Sequence, residues 1–349
     1  MSPKYATGNR ELDRKLNELL DALGVTADRD QLFEILVSVA LLADDATDRL
    51  NLKITNSALK EMRLAFKVFA PWHDVPKVTI FGSARTLPDD PLYAQARDLA
   101  AELAGKGWMV VTGAGPGIMA AGVEGAGVDR SIGVNILLPF EQEPNPLIAQ
   151  DPKLVEMKYF FTRKLMLMKE SAGFAVLPGG FGTLDETFEV LTLLQTGKAA
   201  PAPIVLLDVP NGTYWRGWDR FVRDELVTRG VVSPEDEHFY CITDDVAAAF
   251  AEISGFYRNY HSIRYVGSRL VIRLRQAPTE VELADLNARF ADICVDGKIE
   301  VSEPLQAEVA GDDNLDLDRL VLRFDMHSHG RLRLLINALN TLPSLAEAA

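Results

Sequence analysis

The chain has 349 residues, of which 48% are apolar and 25% are charged, and its net charge is −14. This composition excludes a disordered chain, and the length predicts two or three globular units. The acidic balance argues against a nucleic-acid polymer as partner, because phosphate backbones require clustered cations, but it is compatible with a small anionic ligand.

Neither a membrane span nor a disulfide framework is predicted. The longest apolar stretch, Ile35 to Ala43, is about half of the ~20 residues that a bilayer span needs. The N-terminus lacks the apolar core of a signal peptide. The two cysteines, Cys241 and Cys294, are far apart and form no disulfide framework. We therefore expect a soluble cytoplasmic protein.

Residues 1–76 are predicted to form an N-terminal helical segment. Leucines recur at helical spacing from Leu12 to Leu23, and Gly24 ends that helix. Further helices are predicted at 31–43 and 59–69. The segment is interpreted as a helical cap or a dimer surface.

Short apolar strands alternate with amphipathic helices over residues 77–260. Strands are predicted at 78–81, 108–112, 131–137, 174–177 and 204–207, and helices at 93–105, 118–127, 161–171, 183–195 and 215–228. This alternation predicts an α/β fold with a doubly wound, Rossmann-like parallel sheet. Such sheets bind ligands at the carboxyl ends of their strands, so glycine turns that follow the strands are expected at one edge.

Residues 261–349 are predicted to form a small C-terminal α+β module. The pattern indicates a strand at 263–274, a helix at 279–292, a strand at 319–324 and a helix at 331–342. The acidic run 312–318 lacks the glycine and the distal glutamate of a calcium loop. His327 and His329 have no obvious third ligand and are interpreted as part of an exposed turn. No metal is expected.

The most informative segment is Pro178–Glu186, with the sequence PGGFGTLDE. An apolar strand precedes it and an amphipathic helix follows. Its glycines let a ligand approach the main chain. Thr183 is predicted to cap the helix, whose free N–H groups form an anion site. Glu186 would then lie in the first helical turn, where the helix dipole is expected to keep its carboxylate ionised.

Two other glycine turns also follow predicted strands. The turn at Gly82 and Ser83 offers N–H groups and a hydroxyl to a ligand, although a plain strand-to-helix turn explains it equally well. The turn containing Gly115 and Gly117 has the spacing G-x-G-x-G, and the next strand carries no acidic residue to bind a ribose. These departures argue against a nicotinamide dehydrogenase and leave a phosphate or nucleoside site open. No P-loop, Ser-His-Asp order or H-E-x-x-H helix is present.

Arg163 and Lys164 stand at the start of the helix that leads into the strand before Pro178–Glu186. Such residues on a helix surface are usually only solvated. An arginine at this position, however, can bind phosphate through two hydrogen bonds or polarise a leaving group.

Arg163-Lys164 followed by Pro178–Glu186 resembles the signature of the LOG (LONELY GUY) family, an arginine-bearing helix followed by P-G-G-x-G-T-x-x-E. The resemblance covers roughly residues 77–250. Members of this family, many labelled "possible lysine decarboxylase", are nucleoside 5′-monophosphate phosphoribohydrolases. They cut the N-glycosidic bond of AMP or of cytokinin ribotides to give a free base and ribose 5-phosphate. The resemblance implies a homodimer or larger homo-oligomer and no cofactor.

The resemblance implies that Arg163 and Glu186 are catalytic. Together with the glycine turns it predicts substrate contacts from Gly82, Ser83, Gly115, Gly117, Lys164, Gly179, Gly180, Phe181, Gly182, Thr183 and Thr192. The chain differs from shorter members in its two flanking segments. Ala120 also replaces the glutamate of a common G-P-G-I-M-E-A turn, which leaves the preferred base and a role in cytokinin biosynthesis open.

The chemistry of the residues fits this activity. Glycosidic cleavage passes through an oxocarbenium-like state, which a carboxylate such as Glu186 can stabilise while it positions water. The 5′-phosphate would lie on the amides of Gly180, Gly182 and Thr183.

Two other functions fit the sequence less well than a nucleotide hydrolase. A pyridoxal-phosphate decarboxylase would need a lysine Schiff base from Lys164 or Lys169, but the long framework of such enzymes is missing. A non-catalytic nucleotide sensor or carrier would share the fold, yet it would not need both Arg163 and Glu186.

Overall fold

The computed structural model describes residues 5–138 and 144–347. The chain divides into two compact units, Met1–Arg63 and Leu64–Ala349. Helices α1 (Arg10–Ala22) and α2 (Arg29–Asp44) belong to the first unit, and α3 (Arg49–Phe69) spans the division.

The first unit has a small apolar core in which Leu20, Phe33 and Val37 are buried. The three predicted helices are confirmed, but α3 begins ten residues earlier than predicted. Its start is marked by Asp48, whose side chain accepts hydrogen bonds from two backbone N–H groups at the helix start.

A seven-stranded parallel sheet organises the first part of the second unit. Its strands are β1 (Lys77–Phe81), β2 (Met109–Thr112), β3 (Ser131–Ile136), β4 (Leu154–Met157), β5 (Gly173–Val176), β6 (Ile204–Leu207) and β7 (Tyr240–Thr243). The helices are α4 (Pro91–Gly105), α5 (Ile118–Ala126), α6 (Phe160–Lys169), α7 (Phe181–Gln195), α8 (Tyr214–Phe221) and α9 (Val246–Gly255). The order β4-β3-β2-β1-β5-β6-β7 is that of a doubly wound sheet, so the predicted fold class is confirmed.

Five strands agree with the prediction to within one residue at each end, whereas β4, β7 and α9 were missed. β4 and β7 are the two edge strands, and β7 is only half-buried, so neither has the continuous apolar run of a central strand. The predicted helix 215–228 is α8 followed by a π-helical segment, Val222–Val227.

The sheet reverses its strand order between β1 and β5. The chain first builds outward from β1 to β4 and then returns to place β5 on the other side of β1. In this pair Phe81 lies opposite Val176, so the loops after both strands leave the same edge side by side. Open α/β sheets bind ligands at such a crevice.

A four-stranded antiparallel sheet forms the C-terminal part. Its elements are β8 (Tyr260–Val266), β9 (Arg269–Leu274), α10 (Glu280–Phe290), β10 (Cys294–Val301), α11 (Gln306–Val309), β11 (Asp318–Phe324), α12 (His329–Leu339) and α13 (Ser344–Glu347), and its strand order is β10-β11-β9-β8. The single strand predicted at 263–274 is wrong, because a hairpin turn at Gly267, with φ +60°, divides it into β8 and β9. β10 was not predicted.

The exposed turn predicted for His327 and His329 is wrong for His329, which is buried against Phe324 at the start of α12. The division of the chain at residues 76 and 260 stays a prediction.

Asn340 joins the end of α12 to the start of β8. Its buried Oδ1 accepts hydrogen bonds from the N–H groups of Asn259 and Tyr260, both at 2.9 Å, and its Nδ2 donates to the Phe256 carbonyl. Asn340→Ala leaves these groups unpaired, so we expect it to lower the free energy of unfolding by about 2 kcal/mol, measured by denaturant titration. Asn337→Ala, on the exposed side of the same helix, is the matched control. Equal effects of the two substitutions would contradict this role.

Candidate functional site

The three glycine turns meet at the crevice between β1 and β5, as predicted. The Ser83 N–H donates to the Pro178 carbonyl at 3.2 Å, which joins the turn after β1 to the turn after β5. The Ile118 N–H donates to the Ser83 carbonyl at 3.0 Å, which adds the turn after β2. The main chain around Gly82, Ser83, Gly117 and Gly179 therefore forms one continuous surface.

This close approach of main chains requires glycine at two positions. Gly117 has φ +66°, and a Cβ there would lie 2.3 Å from the Ser83 carbonyl oxygen. A Cβ on Gly179 would lie 2.1 Å from the hydroxyl of Thr183. Larger residues would separate the turns, which explains physically why these positions are glycine.

Arg163, in the first turn of α6, contacts β3 and the turn after β2. Its Nε donates to the Val134 carbonyl at 2.9 Å, and Nη2 donates to the Gly113 carbonyl at 3.5 Å. Burial lowers the pKa of this guanidinium, and the charge of Glu186 opposes that shift. An arginine remains charged after such a shift, so the site keeps a fixed cation.

Glu186 is the sixth residue of α7, not a first-turn residue as predicted. It is only 7% exposed, and burial raises its pKa to about 7 despite the nearby Lys164 and Arg163. The expectation that this carboxylate simply stays ionised was therefore wrong, because loss of hydration outweighs the favourable charges. Among the described residues its Oε2 has no hydrogen-bond partner.

Lys164 connects α6 with α7 through carboxylates. Its Nζ lies 2.8 Å from Asp185, 2.5 Å from Glu189 and 3.9 Å from Oε2 of Glu186. Burial disfavours its charge, but the hydrogen bonds that Lys164 donates to Asp185 and Glu189 prevail and raise the pKa of Lys164. Lys164 thus holds the two helices together and brings positive charge close to Glu186.

Thr183 does not cap α7 with its side chain, in contrast to the prediction. The helix begins at Phe181 with Gly180 as N-cap, and no side chain accepts a hydrogen bond there. Thr183 is buried within the first turn, whereas Gly180 and Gly182 are exposed. The helix start therefore presents main-chain N–H groups with little side-chain cover, as an anion site requires.

Three further residues that were predicted to contact the substrate lie at different places in the fold. Phe181 is 94% exposed beside the helix start. Gly115 is partly exposed in the turn after β2. Thr192 lies six residues beyond Glu186, about 9 Å along the helix axis, and its hydroxyl donates to the Phe188 carbonyl. The fold does not bring Thr192 next to the glycine turns.

Sequence reasoning missed two residues that support the site. Tyr214, at the start of α8, donates its hydroxyl hydrogen to the Gly179 carbonyl at 2.7 Å. Buried Asp208 accepts the N–H of Tyr214 at 3.2 Å and so positions that helix start. Their role depends on the long-range packing of α8 against the turn after β5, for which the sequence carries no local signal.

The arrangement combines three chemical elements. A helix start with exposed glycines can hold a phosphate, a buried guanidinium supplies fixed positive charge, and the buried carboxyl of Glu186 can gain or lose a proton near neutral pH. In the part of the chain that the structure describes, no group of three His, Cys, Asp or Glu residues is placed to hold a metal. No helix within residues 5–138 and 144–347 is long and apolar enough to cross a membrane.

Comparison with known proteins identifies the family. The family model described as "Possible lysine decarboxylase" matches residues 116–253. A cytokinin riboside 5′-monophosphate phosphoribohydrolase from Mycobacterium tuberculosis is 32% identical over 170 residues, which cover 46% of this chain and 86% of that protein. The chain belongs to the LOG family. The match to the LOG family model contains both α6 and α7.

Other known proteins align with this chain over a smaller part of their own length or at lower sequence identity. A pyrimidine/purine nucleotide 5′-monophosphate nucleosidase from Escherichia coli is 29% identical over 168 residues, 44% of this chain and 35% of that protein. Among solved structures, a molybdenum cofactor carrier protein from Chlamydomonas reinhardtii is 22% identical with a TM-score of 0.36, and the alignment covers 51% of this chain and 94% of that chain.

Proposed function

We propose that this LOG-family protein hydrolyses the N-glycosidic bond of nucleoside 5′-monophosphates, releasing a free base and ribose 5-phosphate. The observation that carries the proposal is the buried Glu186 in the helix that begins at the exposed glycines: its Oε2 accepts no hydrogen bond among the described residues, and the charges of Lys164 and Arg163 act on it. Supporting it, two related proteins bear the names of a nucleotide phosphoribohydrolase and a nucleotide nucleosidase.

In the proposed mechanism, the 5′-phosphate binds the main-chain N–H groups at Gly180, Gly182 and Thr183. Binding energy from this non-reacting group holds the ribose in position for reaction. The C1′–N bond breaks, its electron pair leaves with the base, and positive charge develops on the ribose. Ionised Glu186 stabilises that charge and accepts a proton as water attacks C1′. The base takes up a proton from solvent as it leaves, and Glu186 afterwards releases to solvent the proton that it accepted from water. Arg163 supplies fixed positive charge near the reacting groups.

The test is to incubate the protein with AMP, GMP, CMP and a cytokinin riboside 5′-monophosphate and to quantify free base and ribose 5-phosphate. We expect the two products in equal amounts from at least one nucleotide. Adenosine, which lacks the phosphate, should react roughly 10²-fold more slowly than AMP if the helix start binds that group. A nucleotide that binds without releasing any base would instead indicate a sensor or carrier.

The activity is expected to depend on pH through Glu186. Its pKa of about 7 means that the fraction in the ionised, reactive form falls roughly tenfold per pH unit below 7. We therefore expect kcat/KM for the best nucleotide to rise with pH up to about 7 and then to level off. The substrate phosphate also titrates in this range. The affinity of Glu186→Gln for the same nucleotide, measured at each pH, corrects for that effect. A rate that falls as pH rises through 7 would instead indicate that protonated Glu186 acts as an acid.

A further inference from the structure

A polar cavity lies at the amino ends of the strands of the parallel sheet, on the edge opposite to the one that carries the glycine turns. It has a volume of about 540 Å³ and includes residues at the amino ends of three strands. Lys77 opens β1, Trp108 directly precedes β2, and Ala172 directly precedes β5. Tyr257 and Arg275 complete its wall from the region that leads into the C-terminal sheet. A volume of this size is in the range of small-molecule sites.

Lys77 is the decisive residue of this cavity. It is only 3% exposed, and its Nζ donates to the carbonyls of Trp72 at 2.6 Å and Val75 at 2.9 Å. Among the described residues no carboxylate lies within ion-pair distance of this ammonium. An ammonium has three N–H donors, so one donor is left over. Burial lowers the pKa of Lys77, and the charge of Glu170 opposes that shift.

Losing the hydration of an ammonium is expensive unless an anion compensates, and Glu170 and Asp74 act on Lys77 only from beyond ion-pair distance. The two carbonyls that contact Lys77 are dipoles and carry no net charge. Lys77 lines a cavity of about 540 Å³, and these two carbonyls use only two of its three N–H donors.

The rim of the cavity adds further positive groups. Lys169 and Arg275 are both exposed, and His73 and His261 also line the cavity. The rim contains carboxylates too: Glu170 is already paired with Lys169 at 2.6 Å, whereas Asp74 is solvent-exposed.

The lining of the cavity as a whole, with Lys77 included, is nevertheless positive. Burial and the neighbouring arginines Arg275 and Arg273 lower the pKa of His261, so it contributes a neutral hydrogen-bonding group near pH 7. Lys77, Lys169 and Arg275 then outnumber the two carboxylates by one in a chain whose net charge is −14.

We propose that this cavity binds a small anion bearing phosphate or carboxylate groups, with Lys77 as the buried counter-charge and Lys169 and Arg275 at the entrance. The rings of Trp108 and Tyr257, 6.3 Å apart, form an apolar side against which the uncharged part of such a ligand packs. Lys169 ends α6, whose first turn carries Arg163, about 9 Å away along the helix axis. The site is thus separate from the candidate catalytic crevice but shares a helix with it.

The experiment is isothermal titration calorimetry with pyrophosphate and with citrate, which separates phosphate from carboxylate chemistry. The test variant is Lys169→Gln with Arg275→Gln, because both side chains are exposed and neither takes part in the hydrogen bonds of the buried Lys77. Lys106→Gln with Arg269→Gln removes two exposed charges elsewhere and is the matched control. Arg163→Gln reports on an anion that the Arg163 guanidinium binds in the catalytic crevice. Thermal unfolding checks that each variant is folded.

We expect the wild type, the matched control and Arg163→Gln to bind at least one of the two anions with one common affinity. The Lys169→Gln, Arg275→Gln variant should bind it at least about tenfold more weakly, since each ion contact contributes on the order of 1 kcal/mol. The proposal is overturned if the wild type binds neither anion at about millimolar concentration, or if the Lys169→Gln, Arg275→Gln variant binds as tightly as the wild type. Because binding is measured directly, the result does not depend on nucleotide hydrolysis.

Discussion

Glu186→Gln is expected to release base from AMP roughly 10³-fold more slowly than the wild type, if the protein is the nucleotide hydrolase proposed above. The amide has nearly the same shape as the carboxyl but can neither accept a proton from water nor offset positive charge on the ribose. The neighbouring carboxylates of Asp185 and Glu189 are more exposed than Glu186 and are already bound to Lys164, so we do not expect them to replace it. The measurement is single-turnover base release at pH 8, where the wild-type carboxyl is mostly ionised.

Glu189→Gln is the matched control for this variant. It removes the same charge one helical turn away, on a side chain that also binds Lys164 but is more exposed. We expect its rate to stay within about tenfold of the wild type, because Asp185 still holds Lys164 at 2.8 Å. If the two variants lose activity equally, the negative potential around Lys164 matters and not the individual carboxyl of Glu186.

Stability gives a second result for Glu186→Gln that does not depend on catalysis. In the folded protein the pKa of Glu186 is raised from 4.5 to about 7, so the folded state binds the proton more tightly than the unfolded chain does. The stability that comes from this proton is complete below about pH 4.5 and is lost as pH rises through 7. Above pH 7 the variant is therefore expected to be more stable than the wild type, by up to about 3 kcal/mol. If the stability difference between Glu186→Gln and the wild type is the same at pH 5 and at pH 8, Glu186 is not a buried carboxyl that titrates between these values.

The central strands and the Pro178–Glu186 turn could be predicted because their signals are local. An apolar run bounded by glycines specifies β5 and its turn within about a dozen residues, and the following amphipathic run specifies α7. Edge strands such as β4 and β7 lack that signal, because one side of each lies open and its residues need not be continuously apolar. The β8–β9 hairpin was missed for another reason: alternation continued across Gly267, although Gly267-Ser268 is itself a turn signal.

The electrostatics of the candidate site could not be predicted from spacing. The position of Glu186 after a helix start favours an ionised carboxylate, but its pKa is raised by burial that involves other parts of the fold. Likewise, the position of Arg163 depends on carbonyls of Val134 and Gly113, 29 and 50 residues away in sequence. Motif spacing can therefore identify these residues as candidates. Their protonation and orientation depend on contacts with residues that are distant in sequence.

Gly113→Ala is expected to lower kcat/KM for the best nucleotide roughly 10²-fold while the protein still folds, again on the proposed function. A Cβ at this position would lie 2.0 Å from Nη2 of Arg163 and 2.7 Å from Sδ of Met119. Both are far ends of flexible side chains, so the backbone can stay in place and the guanidinium must move. We expect a stability loss of about 1–2 kcal/mol from this overpacking, measured by thermal unfolding beside the kinetics.

The control for Gly113→Ala is Gly122→Ala in α5. Its Cβ would lie 3.1 Å from the methyl of Thr112, the residue just before Gly113, and so crowds the same end of β2 without reaching Arg163. Its activity should stay within a few-fold of the wild type. A Gly113→Ala protein that folds and keeps full activity would show that the observed position of Arg163 is not required. A loss in kcat with KM unchanged would instead place Arg163 at the transition state, because an interaction made equally with bound substrate would appear in KM.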